Sequence, residues 1–250
     1  MAALIAWVGE AMLGQTASTT LLLSALLGYG AGALWLLPAL RHTDTLATPP
    51  DGVDGLHGDA RSTRLKLLHT LSDVAVSTWL AVQWQALYGS AEAGLLLVLL
   101  RVFGFIPGLV HSAWAQVLMG RGGSERRTSL AMVAIACMVI AGMAVGVYGA
   151  LQWGWLQPSW QGLAAYLWPL AIWQMAASAM AAHAHLPFAH KRAVRFSRQC
   201  MAINLVLLAL LCWPLLSPMS VHQHLWLVSG FMTLALTAQA LDHGTHRQSR

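Results

Sequence analysis

Seven long apolar runs dominate the chain, and each has about the length that a membrane-spanning helix needs. Their approximate bounds are 16–40, 67–88, 92–119, 129–152, 161–186, 199–217 and 221–241. A bilayer core takes roughly 20 apolar residues per helix, and none of the runs alternates with the period of two that is typical of a membrane β-barrel. The pattern therefore predicts an all-α, polytopic membrane protein with about seven transmembrane helices.

The residues between the runs form short segments, so we expect no second domain. Residues 1–15 are apolar but interrupted by Glu10, and we expect them to form an interfacial helix at the outer surface or an extension of the first span. Residues 41–66 contain a Pro-Pro pair and two Asp-Gly pairs, which are loop signals. The expected organisation is a single transmembrane helical domain over residues 1–250, with an irregular cytoplasmic loop at 41–66.

The basic residues lie on one side of this predicted bundle. All but one of the 14 Lys and Arg residues follow the first, third, fifth or seventh run, and the exception, Arg101, lies within the third. Loops rich in Lys and Arg stay in the cytoplasm. The distribution therefore predicts an outside N-terminus and a cytoplasmic C-terminus, and the location we expect is a bacterial cytoplasmic (inner) membrane.

The composition agrees with a membrane protein and removes several other classes. The chain is 57% hydrophobic and 9% charged, whereas roughly 25% of the residues of an average soluble domain are charged. The net charge of +5 is explained by the topology signal, so we expect no nucleic-acid partner. The sequence has no GxSxG, HExxH, Walker A or GxGxxG motif, and whether the protein is an enzyme stays open.

Ionisable residues inside the predicted spans are the candidates for function, because such groups are costly in a bilayer. His69 and Asp73 lie four residues apart in the second run, so they share a helix face. Arg101 and His111 lie in the third run, and His183 lies near the inner end of the fifth. At about 1.5 Å of rise per residue, His69, Asp73, His111 and His183 all fall in the cytoplasmic half of the bundle.

Three chemistries fit these residues. Two imidazoles from different helices would bind haem b, and His69 with His183, or His111 with either, are the expected ligands. Copper is the second option, with Asp73 orienting an imidazole from the second coordination shell. The third is a proton or ion relay with His69, Asp73 and His111 as its stepping stones. The structural alternative is that these groups only fix helix packing or lie at the interface.

A second candidate metal site lies at the outer end of the last run. His222 and His224 are separated by one residue, which is a spacing that can hold an external metal ion. The alternative is an interfacial pair of histidines beside Trp226.

Two segments resemble a known family. Leu65-Lys66-Leu67-Leu68-His69, followed by Trp79, resembles the LKxLHxxxxxxW opening of copper-resistance-D-like and related haem-handling membrane proteins, although the Trp falls ten residues after the His. The stretch 127–133, running on to Gly142, is similar to the RFSxLALV…G helix start of the same group, and 195–198 echoes it. The resemblance implies copper movement across the inner membrane, or haem held by His69.

The function that these observations favour is an inner-membrane redox protein that binds haem b or copper for electron transfer or copper handling. Its expected metal ligands are His69, His111 and His183, and its expected partners are the lipid bilayer and a quinone or other membrane subunits. A cofactor-free transporter or channel that uses Asp73, Arg101 and His111 is the first alternative. A non-catalytic subunit of a larger membrane complex is the second.

Overall fold

The computed structural model describes residues 60–121, 126–189 and 192–245, all within one compact unit, Gly58–Arg250. Helices and short turns account for all of these residues. The first apolar run at 16–40, the segment 1–15 and the loop up to residue 59 lie outside the described residues.

Six long helices and one short helix make up the described part of the chain. They are α1 (Ala60–Tyr88), α2 (Ser90–Arg121), α3 (Arg126–Gln152), α4 (Leu163–His183), the single turn α5 (Leu186–Ala189), α6 (Ala193–Cys212) and α7 (Val221–Thr245). Two 3-10 turns, Pro158–Trp160 and Trp213–Leu215, lie in the connections that follow α3 and α6. The all-helical class predicted from the apolar runs is confirmed for these residues.

Four stretches of these helices are long and apolar enough to cross a membrane. They are Ser90–Ala113, Thr128–Gln152, Ala193–Leu215 and Val221–Asp242. The length and composition of these helices are those of an integral membrane protein. The predicted runs 67–88 and 161–186 are helical as α1 and α4, but they fall outside this set. Both carry buried polar residues, such as Gln83 in α1 and Gln174 in α4.

One predicted boundary is wrong. The loop expected at 41–66 ends earlier, because residues 60–66 already belong to α1. Apolar periodicity marks only the part of a helix that faces other apolar groups, and Arg and Lys are good helix formers. The first turns of α1 are therefore helical although they are too polar to count as part of an apolar run.

Consecutive long helices run in alternating directions, and α4 lies at the centre of the bundle. It packs against α2, α3 and α7, while α1 packs against α6 and α2. Buried side chains cover most of the circumference of α4, from Leu163 to Ala182, and only a strip with Trp168 and Ile172 is exposed. A helix that is buried on most sides is typical of a central position. The main core joins Leu167 and Leu170 of α4 to Phe103, Ile140 and Leu211 of the neighbouring helices.

The two ends of the bundle differ in chemistry. At the end where α1, α3 and α6 begin, which we call the basic end, lie Lys66, Arg192, Arg195 and Arg198. At the opposite, aromatic end, exposed tryptophans surround the connections between helices, namely Trp153, Trp155, Trp160, Trp213 and Trp226. Tryptophan is enriched where a membrane protein meets the lipid headgroups.

A single residue, Gly89, joins α1 to α2 at the aromatic end. Its φ is +90°, which L-residues with a side chain adopt only at a cost. Its amide donates to the Gln85 carbonyl over 2.9 Å, and its own carbonyl accepts from the Ala93 amide over 3.1 Å. Gly89 thus ends α1 and starts α2 without a loop.

We expect Gly89→Ala to lower the free energy of unfolding by about 1 kcal/mol, because the new Cβ is strained at this backbone conformation. The matched control is Gly94→Ala, which lies inside α2 with no atom within 4 Å of the added Cβ and is expected to be neutral or stabilising. Reversible unfolding of both variants in mixed micelles measures the difference. Equal stabilities would contradict the strained turn.

Candidate functional site

His69 and Asp73 form a hydrogen-bonded pair near the basic end of α1. The imidazole Nε2 lies 2.9 Å from the Asp73 Oδ2 atom, as the spacing of four residues on one helix predicts. The His69 side chain is 15% exposed and that of Asp73 is 49% exposed. The imidazole therefore lies inside the bundle, and the carboxylate lies at the surface of the bundle.

Asn204 of α6 connects this pair to a second helix. Its Nδ2 atom donates to Asp73 Oδ1 over 2.6 Å and to Ser72 Oγ over 2.8 Å. The Ser72 hydroxyl in turn donates to the His69 carbonyl over 2.7 Å. Both carboxylate oxygens of Asp73 are thus hydrogen bonded, one within α1 and one across the interface with α6.

Cys200 and Phe196, one and two turns before Asn204 on α6, complete the surroundings of the imidazole. The Phe196 ring meets the imidazole edge to face, with ring centroids 5.6 Å apart, and Cys200 lies on the same face of α6, between Phe196 and Asn204. The Gln239 amide of α7 donates to Cys200 Sγ over 3.2 Å. We call His69, Ser72, Asp73, Cys200, Asn204 and Gln239 the basic-end polar cluster.

Several buried polar atoms near this cluster have no hydrogen-bond partner among the described residues. They are Ser197 Oγ and Gln199 Oε1 of α6 and Gln239 Oε1 of α7. Ser197 and Gln239 are 1% and 4% exposed, so they lie deep inside the described bundle. Buried polar groups in native proteins are normally paired with protein or water, which makes this region unusually polar for the interior of an apolar bundle.

The other predicted site residues do not join the cluster. His111 and Arg101 are both exposed on α2. His183 lies at the end of α4, where its Nδ1 atom donates to the Ala179 carbonyl over 2.8 Å. Within the part of the chain that the structure describes, no group of three or more His, Cys, Asp or Glu side chains is arranged to hold a metal ion. The geometry thus gives no support to a site built from His69, His111 and His183.

The two histidines of the HxH pair face different surroundings. His222 is exposed, and its Nε2 atom accepts a hydrogen bond from Trp226 Nε1 over 3.2 Å. His224 is fully buried, its Nε2 atom donates to the Leu210 carbonyl over 3.1 Å, and its Nδ1 atom accepts from the Tyr88 hydroxyl over 3.1 Å. Both ring nitrogens of His224 are already used, so the described geometry leaves neither of them for a metal ion shared with His222.

His224 belongs to an aromatic and polar network that closes the aromatic end. Trp84 stacks on the His224 ring with a centroid distance of 4.7 Å and donates to the Tyr166 hydroxyl over 3.3 Å. Tyr166 donates to Glu92 Oε2 over 2.5 Å. Trp84 and Tyr166 are almost fully buried, and the network joins α1, α2, α4 and α7. We assign it a structural role, in which Glu92 ties α2 to Tyr166 of α4.

Four members of the basic-end polar cluster are absent from the sequence prediction, namely Ser72, Cys200, Asn204 and Gln239. Asn204 and Gln239 are amide side chains inside otherwise apolar runs, and that contrast is the signal that points to them. Cys200 has no such signal, because a lone cysteine in an apolar helix most often packs as a small apolar residue.

Comparison of the chain with protein families, curated proteins and solved structures found no match. The resemblance to copper-resistance-D-like proteins therefore stays a prediction.

We expect the contact between Asn204 and Asp73 to contribute a coupling energy of about 1 kcal/mol, as polar contacts between helices in membranes typically do. A double-mutant cycle of Asn204→Ala with Asp73→Ala measures it in mixed micelles. The control cycle pairs Asn204→Ala with Thr78→Ala, because the Thr78 hydroxyl donates to the Val74 carbonyl of its own helix. A coupling energy near zero in both cycles would show that the hydrogen bond between Asn204 and Asp73 does not contribute to stability.

Proposed function

We propose that the protein spans the bacterial cytoplasmic membrane seven times, with the N-terminus outside and the C-terminus in the cytoplasm. Support comes from the four apolar helices and from the separation of a basic end and an aromatic end. In this topology α1 and α4 also cross the membrane. α4 is packed between α2, α3 and α7, and α1 presents exposed apolar side chains such as Leu71 and Val74 to the lipid. The basic end faces the cytoplasm.

We further propose that the protein is a transporter that moves protons, alone or together with a small solute or ion, and that the basic-end polar cluster is its proton relay. The observation that carries this proposal is the Asp73 carboxylate, which is held at once by His69 of its own helix and by Asn204 of α6. An ionisable pair at membrane depth is a functional site by default.

The pair has the atoms that a relay needs. A proton that reaches Nδ1 of the imidazole leaves from Nε2, which lies 2.9 Å from the Asp73 carboxylate. The carboxylate is half exposed, so it can release the proton toward the cytoplasmic surface. Asn204 donates to the other carboxylate oxygen and so holds the carboxylate in place opposite the imidazole.

Buried polar side chains extend from the cluster toward the aromatic end. On α7 they are Gln239 and Ser229, which lie about 15 Å apart along the helix at 1.5 Å per residue. On α4 they are Gln174 and Ser178. Such residues give water molecules and protons hydrogen-bonding partners in an otherwise apolar interior, which supports a route across the bundle.

The relay differs from the path expected from the sequence in two of its members. Arg101 and His111 are exposed on α2, so we assign them no part in it. A haem b or copper centre on His69, His111 and His183, serving electron transfer with a quinone, stays a prediction. The relay is the proposal that the geometry favours, because it requires only residues that are in contact.

Cysteine labelling tests the proposed orientation. With the native cysteines Cys137, Cys200 and Cys212 replaced by Ser, a membrane-impermeant maleimide should label Trp155→Cys in intact cells. Arg192→Cys, at the other end of the bundle, should react only after permeabilisation. The two sites are exposed and serve as controls for each other, and the reverse pattern would overturn the orientation.

Proton flux into liposomes tests the relay. The purified chain is reconstituted with a trapped pH-sensitive dye, and flux is started by a pH gradient and a membrane potential. We expect Asp73→Asn to lower the flux by about a hundredfold, because a positioned proton-transfer group contributes on that order. His69→Gln should have a similar effect.

The matched control is Asp242→Asn, a carboxylate that pairs with Arg195 at the basic end over 3.1 Å and has no part in the relay. It should keep the wild-type flux. Liposomes with wild-type protein that transport no more protons than empty liposomes would overturn the proposal. The cluster would then serve to fix helix packing, as expected of a non-catalytic subunit.

A further inference from the structure

One face of α6 is exposed along the length of the helix, and its chemistry changes from one end to the other. Steps of three and four residues keep side chains on one face, and the exposed members of this face are Arg195, Arg198, Ala202, Leu205, Ala209 and Trp213. We call these residues the exposed strip of α6. Guanidinium groups thus lie at the basic end, apolar side chains in the middle and an indole at the aromatic end.

The length of the strip fits a bilayer. Trp213 follows Arg195 by 18 residues, or about 27 Å of helix at 1.5 Å per residue, and the hydrocarbon core of a bilayer is roughly 30 Å thick. Leu205, which lies between them, is 69% exposed. When the apolar middle of the strip contacts acyl chains, the arginines therefore reach the headgroups of one leaflet, and Trp213 reaches those of the other.

Three arginines carry the charge at the basic end of α6. Arg192, Arg195 and Arg198 are all exposed, and α6 itself has no acidic residue. Arg195 donates from Nη2 to both carboxylate oxygens of Asp242 on α7, over 3.2 and 3.1 Å. Within the described part of the chain, the guanidinium groups of Arg192 and Arg198 form no ion pair and no side-chain hydrogen bond. Positive charge is therefore in excess at this end of the strip.

From this arrangement we propose that the basic end of α6 binds the headgroup of an anionic phospholipid. Arg192 and Arg198 hold the phosphate, because the planar fork of a guanidinium group matches two phosphate oxygens at once. Arg195, which Asp242 keeps in position, adds a third positive charge beside them. The acyl chains of the same lipid lie along the apolar part of the strip, at Ala202 and Leu205.

The charge balance selects among lipids. The headgroup of phosphatidylglycerol carries only its phosphate charge, so the excess of arginines attracts it. The headgroup of phosphatidylcholine also carries a trimethylammonium group, which the same arginines repel. We therefore expect this end of α6 to prefer phosphatidylglycerol to phosphatidylcholine when the acyl chains of the two lipids are identical.

The lipid site rests on α6 crossing the membrane and not on the proposed proton transport. None of the three arginines belongs to the basic-end polar cluster, and lipid binding is measured on the purified protein without any flux. The orientation of the chain in the membrane does not enter the measurement either, because the protein is in micelles.

Native mass spectrometry of the full chain in mild detergent measures the affinity for each added lipid. We expect tighter binding of phosphatidylglycerol than of phosphatidylcholine by the wild type. Arg198→Gln should weaken phosphatidylglycerol binding about fivefold, the effect of one basic residue at an anionic lipid surface, and leave phosphatidylcholine binding unchanged. Arg192→Gln combined with Arg198→Gln should weaken it about twenty-five-fold.

The matched control is Arg101→Gln, which removes the same charge from an exposed position on α2 and should keep the wild-type affinity. Inorganic phosphate and glycerophosphoglycerol, the headgroup without acyl chains, form the second control. Both should bind at least tenfold more weakly than the intact lipid, because each acyl methylene group that contacts the protein adds to the affinity. Circular dichroism and elution as a single species establish that the exposed arginine variants are folded.

Three outcomes would overturn the proposal. One is equal affinity of the wild type for phosphatidylglycerol and phosphatidylcholine. Another is an equal loss of affinity in folded Arg198→Gln and Arg101→Gln, which would show an effect of net charge alone. The third is inorganic phosphate binding as tightly as the lipid, which would show an anion site without a lipid. A protein that fails these tests but transports protons would lose the lipid site alone, and one that passes them without flux would lose the relay alone.

Discussion

A carboxylate among apolar helices has to find its partners within the bundle, because lipid offers none. Asp73 meets this constraint with two contacts of different kinds, an imidazole on its own helix and an amide on α6. Both contacts depend on the register of α1 against α6, since a shift of one residue would rotate Asp73 by about 100° around its helix. The contacts of the cluster and the packing of α1 against α6 therefore depend on the same register between the two helices.

The aromatic end follows a different principle. There the polar atoms of Trp84, Tyr166 and His224 have hydrogen-bond partners, and the rings stack or pack on one another inside the core. A saturated network of this kind rigidifies a bundle. At the basic end, by contrast, buried oxygens stay unpaired among the described residues. The described bundle thus has one end whose hydrogen bonds are saturated and one end with unpaired polar atoms, and the proposed proton transport belongs to the second.

The sequence alone was sufficient for the helical class and for most of the helix positions, because length and hydropathy determine them. It also identified the contact between His69 and Asp73, since a spacing of four residues places two side chains on one face of any helix. It failed where the outcome depends on rotation about the helix axis. Hydropathy does not tell which face of α2 meets α4, so the exposure of His111 and Arg101 was not foreseeable. Asn204 and Gln239 join the cluster through contacts between helices, and spacing along the chain carries no information about such contacts.

The connection at Gly89 has a mechanical consequence. Because one residue links α1 to α2 and its backbone is hydrogen bonded on both sides, the two helices form a hairpin whose corner lies in the rigid aromatic end. His69 lies 20 residues from that corner, or about 30 Å along the helix. A tilt of α1 by about 10° at the corner displaces the imidazole by about 5 Å at that lever length, enough to separate it from α6. A small tilt of α1 at Gly89 is thereby converted into the loss or formation of the contacts between His69 and α6.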